Sequence, residues 1–124
     1  ALDVAPDLII MGLAATAMEE VARDLKCHWA GEIFADRAYN SDGTLVDRRL
    51  PGAMIHDAKT AADRMVEMVT TGAILTADGD QLATLIDTIC VHGDSAEAVE
   101  IARSVRTGLE TAGIKVEAFS GAPL

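Results

Sequence analysis

The sequence predicts an α/β domain built on mainly parallel strands with flanking helices. Two observations carry that prediction. Short apolar runs alternate along the chain with segments whose apolar residues recur at helical spacing, the order that successive strand–helix units produce. Apolar residues make up 50% of the chain and aromatics only 3%. The core therefore falls to Ala, Val, Leu, Ile and Met, and small side chains let helices lie close on a sheet. At 124 residues the chain has the size of one domain. Its apolar content excludes a disordered chain.

The elements follow in order. Leu8-Ile9-Ile10-Met11-Gly12-Leu13 is a continuous apolar run, as expected of a strand buried on both faces. Ala14, Met18, Val21, Ala22 and Leu25 then recur at helical spacing, with Glu19, Glu20, Arg23 and Asp24 on the solvent side. His28-Trp29-Ala30-Gly31 breaks that pattern, and Glu32 to Ala35 reads as a second short strand. Asp36 to His56 has no sustained period and contains the turn signals Asn40-Ser41-Asp42-Gly43 and Pro51-Gly52. Loops this long inside a small domain are usually functional or disordered.

A helix capped by Asp57 follows, with Ala61, Ala62, Met65, Val66 and Met68 or Val69 inward and Gly72 as its stop. Ile74-Leu75 is a weak strand signal, Ala77-Asp78-Gly79-Asp80 is a turn, and Gln81 to Ile86 is ambiguous. Asp87 to His92 reads as a third strong strand. Asp94 followed by Glu97 makes a capping-box pattern before an apolar stripe of Ala98, Ile101, Ala102, Val105, Leu109 and Ala112. Gly113 ends that helix, Ile114 to Phe119 reads as a last strand, and Ser120 to Leu124 as a frayed tail.

Charge narrows the function. The net charge is −10, and a polyanion such as nucleic acid requires clustered Lys and Arg. An acidic membrane surface is disfavoured on the same ground. The apolar stretch Leu8 to Met18 follows Asp3 and Asp7, where a secretion signal carries positive charge. It is also too short to span a bilayer. The expectation is a cytoplasmic protein with no membrane partner. Cys27 and Cys90 form neither a Cys-x-x-Cys pair nor a zinc pattern. Buried thiols are expected, although spacing alone leaves a disulfide open. His28 and His56 have no partner at metal-ligand spacing, and no metal is expected. The methionines fall mostly at core spacing.

Three groups of residues carry chemistry. Glu32, Phe34 and Asp36 alternate along a strand and would share one face. Two carboxylates there suit acid and base work if their environments differ. The plainer alternative is a solvated Glu32 and an Asp36 that pairs with Arg37 or caps a turn. Arg37, Tyr39, Arg48 and Arg49 bring guanidinium and phenol groups into one loop, which suits an anionic substrate. Surface charge balance is the alternative, above all for Arg49. Finally, Cys90-Val91-His92-Gly93-Asp94 places a histidine at a strand end with a helix following. That is the edge where α/β folds bind ligands. His92 is a general base or acid candidate, and a structural histidine is the alternative. Asp94 is explained by capping alone. No phosphate-binding Gly-rich loop and no nucleophile elbow is present.

Glu32-Ile33-Phe34-Ala35-Asp36-Arg37-Ala38-Tyr39, then Asp42-Gly43-x-Leu45-Val46-x-Arg48, then Gly52-Ala53-x-Ile55, resembles the signature of the LamB/YcsF family. Ile89-Cys90-Val91-His92-Gly93-Asp94 with its Ala-rich helix is similar to that family's later motif. The resemblance implies a lactam-opening activity. With two partner subunits, ATP and water, family members convert 5-oxo-L-proline to L-glutamate. It implies an irregular (β/α) TIM-like barrel, with His92, Asp36 and Glu32 as catalytic residues. Arg37, Tyr39, Arg48 and Asp94 would bind substrate.

The family's first-half motifs (Asp-Leu-Asn-x-Asp-x-Gly-Glu, Gly-Phe-His-x-Gly-Asp, Lys-Pro-His-Gly) are not found in residues 1–124. The chain therefore resembles the C-terminal half, a partial barrel. Such a half exposes a sheet face and edges, so a homo-oligomer is expected. The rival expectation is a non-catalytic remnant serving as a binding or oligomerisation module.

Overall fold

The computed structural model describes residues 2–119 and the backbone of 122–123. Strand β1 (Ile9–Leu13) leads through helix α1 (Ala17–Asp24) to strand β2 (His28–Phe34). A long loop then leads to helix α2 (Ala58–Thr71) and a hairpin of β3 (Ala73–Leu75) and β4 (Gln81–Ala83). Strand β5 (Thr88–Cys90), helix α3 (Ala98–Thr111) and the short β6 (Ala122–Pro123) complete the order. The main sheet runs β1-β2-β5, all parallel, with β6 antiparallel against the start of β2. The α/β class and the mainly parallel sheet stand as expected.

Strand β2 is the centre, and it begins four residues earlier than its pattern predicts. His28 to Gly31 are strand, not a break. The reason is packing: Trp29 and Ala30 are buried, and Gly31 meets the chain after β4 so closely that a Cβ there would lie 2.4 Å from the Leu85 carbonyl oxygen. A strand enclosed this way carries no polar–apolar alternation to read. The Gly31 N–H donates to the Asp87 carboxylate at 2.8 Å, and the Asp87 N–H returns to the Gly31 carbonyl at 2.9 Å. Those two bonds fix how β5 docks.

Helix α2 forms as its sequence dictates. Asp57 accepts from the Thr60 N–H at 2.8 Å, and Gly72 closes the helix at φ 66° with its N–H on the Met68 carbonyl. Ala61, Ala62, Met65 and Met68 are buried. They meet Ile33 of β2, Ala35 just past its end, and Ile101, Val105 and Leu109 of α3 in one core. Gly108 lets α3 approach Ala62 and Val66 of α2. A smaller cluster of Ala22, Cys27 and Trp29 seats α1.

Five expectations are corrected. Met18, Val21 and Leu25 are exposed, because α1 docks through Ala22 alone, and Glu19 is buried instead. The Glu19 carboxylate folds back to accept the Ala15 N–H at 2.9 Å, satisfying a donor before the first turn. Asp94 does not cap α3: Glu97 holds that place without a side-chain bond. Strand β5 ends at Cys90, two residues short of His92. Residues 114–119 form no ladder and leave a groove of about 520 Å³ against β5 and α3. Of the predicted tail, Ala122–Pro123 pairs with His28–Trp29, while Ser120, Gly121 and Leu124 lie outside the described residues.

The helices share one sheet face. Ile10, Trp29, Ile33 and Ala35 turn toward them. In-register neighbours on the opposite side include Met11, Glu32, Phe34 and Cys90, exposed or half-buried. Among the described residues the sheet is open, and no helix is long and apolar enough to cross a membrane.

Candidate active site

Parallel pairing puts the C-terminal ends of β2 and β5 side by side. Phe34 stands opposite Cys90, and the Ala35 N–H donates to the Cys90 carbonyl at 3.0 Å. Asp36 leaves β2 in a turn and His92 leaves β5, and the two meet. The buried Asp36 carboxylate accepts the His92 backbone N–H at 3.1 Å. The His92 Nδ1 lies 2.9 Å from one carboxylate oxygen and 3.0 Å from the other. A carboxylate accepts, so Nδ1 is the nitrogen that carries the proton and Nε2 presents its lone pair. The imidazole stands edge-on to Phe34, ring centroids 4.6 Å apart. Its Nε2 is 3.8 Å from the Cys90 Sγ. A ring fixed on both sides with one free basic nitrogen is the arrangement general-base chemistry requires.

Glu32 sits on the same face, half-buried, one strand repeat before Phe34. The structure couples Asp36 to His92 at a turn just past the end of β2. The charge of Glu32 is felt nearby. Burial pushes the Cys90 thiol up, and Glu32 and Asp36 push it further.

Three basic or phenolic candidates occupy different levels. Arg37 is buried and donates to the Val46 carbonyl at 2.9 Å, while its Nε has no partner among the described residues. Tyr39 is 1% exposed, and its hydroxyl accepts the Phe34 N–H at 2.7 Å. It belongs to the floor of the site. Desolvation raises its phenol to about 12. Arg48 and Asp94 meet at the rim, 3.4 Å apart and both exposed. Asp94 is thus drawn to the long loop instead of to the helix end.

That loop is tied down by backbone bonds. The Ala38 N–H bonds the Ala53 carbonyl, the Val46 N–H bonds the Ala38 carbonyl, and the Ile55 N–H returns to the Asp36 carbonyl at 2.8 Å. Gly43 takes φ 86° at its tip, a conformation glycine adopts without strain.

Two residues were not singled out by the sequence. Arg64 of α2 donates to the carbonyls of Ala35 at 3.2 Å and Arg37 at 3.0 Å, clamping the backbone on either side of Asp36. Its signal was present: position 64 falls on the buried stripe with Ala61 and Met68, where a charge is out of place. Cys90, expected as a buried thiol, is half-buried beside His92. Both cysteines are free.

Among the described residues no group of His, Cys, Asp and Glu is arranged to hold a metal ion. The Asp57 carboxylate takes the Thr60 N–H at the start of α2, a donor a phosphate would otherwise use, while Glu97 and Glu100 at the start of α3 pair with His56 and Arg103.

The sequence profile of the LamB/YcsF family matches residues 1–123. The 5-oxoprolinase A-subunit of Ruegeria pomeroyi is 62% identical over 119 residues, covering 96% of this chain and 47% of the relative. Its counterpart from Gluconobacter oxydans is 54% identical over 92% of this chain and 45% of its own length. The one from Pyrococcus furiosus is 47% identical, covering 93% and 45%. The crystal structure of a lactam utilization protein from Thermus thermophilus superposes with a TM-score of 0.82 at 39% identity, covering 95% of this chain and 47% of that one. The chain spans about half the length of the relatives it matches.

Proposed function

The chain belongs to the LamB/YcsF family, and from that premise we propose that it supplies one wall of a lactam-opening site that hydrolyses 5-oxo-L-proline to L-glutamate. The observation that carries the proposal is the Asp36–His92 pair, a buried carboxylate holding an imidazole at the C-terminal edge of parallel strands. Ring opening needs a base for the attacking nucleophile and a group to hold the substrate's carboxylate. His92 Nε2 is the base, and Asp36 positions it. Glu32 adds a second carboxyl on the same face. Arg37, or Arg48 at the rim, holds the substrate carboxylate. Tyr39 shapes the floor below it.

The same proposal extends to the assembly. The parallel strands form part of an irregular (β/α) TIM-like barrel whose inner face carries Glu32, Phe34 and Cys90. Two further 5-oxoprolinase subunits complete the enzyme, which works in the cytoplasm. ATP, implied by the family resemblance, would supply the driving force for ring opening when bound to the assembly. The open sheet face with Ile9 and Met11 favours self-association, and light scattering that finds only monomer at micromolar concentration removes that part.

The central test is His92→Asn in the protein assembled with its partner subunits, with ATP-dependent glutamate release as the readout. A fall of about 10²–10⁴-fold is expected for loss of a general base. Unchanged release would remove His92 from the mechanism.

A further inference from the structure

We infer that Cys90 is the nucleophile of this site, forming with His92 and Asp36 a Cys–His–Asp relay that cleaves an amide through a thioester. The inference rests on the reading of Asp36 and His92 as an amide-hydrolysing pair and goes beyond it by naming the attacking atom.

The geometry runs through three contacts. The Cys90 Sγ is 3.8 Å from His92 Nε2, within hydrogen-bond range for sulfur. The opposite ring nitrogen, Nδ1, is held 2.9 Å from the buried Asp36 carboxylate. Phe34 holds the ring edge-on from the adjacent strand. A nucleophile within reach of a base, and that base oriented by a third group, is the logic shared by unrelated hydrolases. Cys90 closes β5 on the sheet face the helices leave open, and His92, two residues past the strand end, sets its ring against Phe34 on that same face.

The second cysteine makes the contrast. Cys27 is buried beside Trp29 and points its thiol at the Ala22 carbonyl at 3.4 Å. It is structural. Cys90 is half-buried and faces an imidazole. Burial, together with the negative charges of Glu32 and Asp36, favours the protonated thiol. The sulfur therefore needs a base at the moment of attack, and His92 Nε2 is the base in reach.

The step balances without an outside oxidant or reductant. Sγ bonds to the carbonyl carbon of an amide while Nε2 takes the thiol proton. The carbon–nitrogen bond breaks, and that proton passes from His92 to the leaving nitrogen. A thioester remains on Cys90. Water adds to its carbonyl carbon and gives a proton to His92. The carbon–sulfur bond breaks, and the proton returns to sulfur. One amide and one water become one amine and one carboxylic acid, with thiol and imidazole restored. The substrate class is a small amide, and a cyclic one remains tethered as a single product.

The test uses two readouts. In the protein assembled with its partner subunits, Cys90→Ala and Cys90→Ser are each expected to lower glutamate release from 5-oxoproline on the order of a thousandfold or more. Release at the wild-type rate in Cys90→Ala overturns the inference and leaves the lactam reading intact. Independently of any substrate, iodoacetamide labels the wild-type protein at neutral pH. Cys90 is expected to react well ahead of Cys27, and His92→Asn to slow Cys90 several-fold. Equal labelling of Cys90 in wild type and His92→Asn overturns the relay. If the wild-type assembly releases no glutamate, the lactam reading fails. A slowed Cys90 in His92→Asn then still supports the relay, acting on another amide. If Cys90→Ala fails to assemble, Cys90→Ser and the labelling rates decide.

Discussion

Replacing Tyr39 with Phe removes one oxygen from beneath the site and leaves the ring in place. That oxygen accepts the Phe34 N–H at 2.7 Å, and the residue is 1% exposed. In the variant the N–H loses that acceptor. An orphaned buried donor costs about 1–3 kcal/mol, so the variant is less stable by that amount at pH 8. The same hydroxyl gives a second, opposite signature at high pH. Its phenol lies at about 12, against an ordinary 10.0, mainly through desolvation, with Glu32 adding to the rise and the Phe34 N–H, Arg64 and Arg37 opposing it.

A raised folded-state value means that the unfolded chain gives up its proton first. Stability is therefore intact below pH 10 and declines as pH climbs toward 12. A rise of that size corresponds to a loss of about 2–3 kcal/mol across that window. Wild type carries this loss, and Tyr39→Phe does not. Urea denaturation followed through the buried Trp29, at pH 8 and again near pH 11, reads both effects. Other groups that titrate in this range contribute alike to the two proteins and drop out of the difference. Wild type is expected to lead at pH 8 and the gap to close as the pH rises. Equal stability at pH 8, or a gap that ignores pH, would refute the account of Tyr39 as a buried acceptor.

Further expectations follow from the same contacts. Gly31→Ala places a Cβ 2.4 Å from the Leu85 backbone oxygen, so the chain between β4 and β5 must move. A loss of about 1–3 kcal/mol is expected in urea, and a wild-type midpoint would contradict the packing. Arg64→Met withdraws two donors from the carbonyls of Ala35 and Arg37. It is expected to destabilise by about 2–3 kcal/mol. It should also release the His92 ring, visible as a shift of its imidazole resonances that an unrelated surface change leaves alone. The Asp57 carboxylate is held below its ordinary range by the Thr60 hydroxyl and N–H. Its contribution is therefore present above that range and fades as pH falls through the lowered value. Asp57→Ala should melt earlier than wild type at pH 7, with the difference vanishing in strong acid. A difference that persists there would mean the cap works through something other than its charge.

How far the sequence reaches is visible in particular residues. Asp57, the stripe of Ala61, Ala62, Met65 and Met68, and Gly72 determined helix α2 from cap to stop. A helix is a matter of neighbours three and four apart. The strand class of Ile9–Leu13, the stripe of α3 and the family motifs were legible for the same reason. His92 and Asp36 were visible as reactive groups at two strand ends.

Their partnership was not, because they stand 56 residues apart and meet only when β5 docks parallel to β2. The same docking set the length of β2, whose small buried residues carry no alternation. Side-chain competition settled the rest. Asp94 had a local invitation to cap α3 and went to Arg48 of the long loop. Glu19, placed at a solvent position by its period, turned inward to an unsatisfied N–H. Cys90 changed most: in the sequence it was an expected buried thiol, and the fold set it beside the Nε2 of a fixed imidazole. Local pattern decides which residues are helical or extended. Which polar groups face one another is decided by long-range pairing, since each hydrogen-bonding group takes the nearest partner the tertiary structure leaves it.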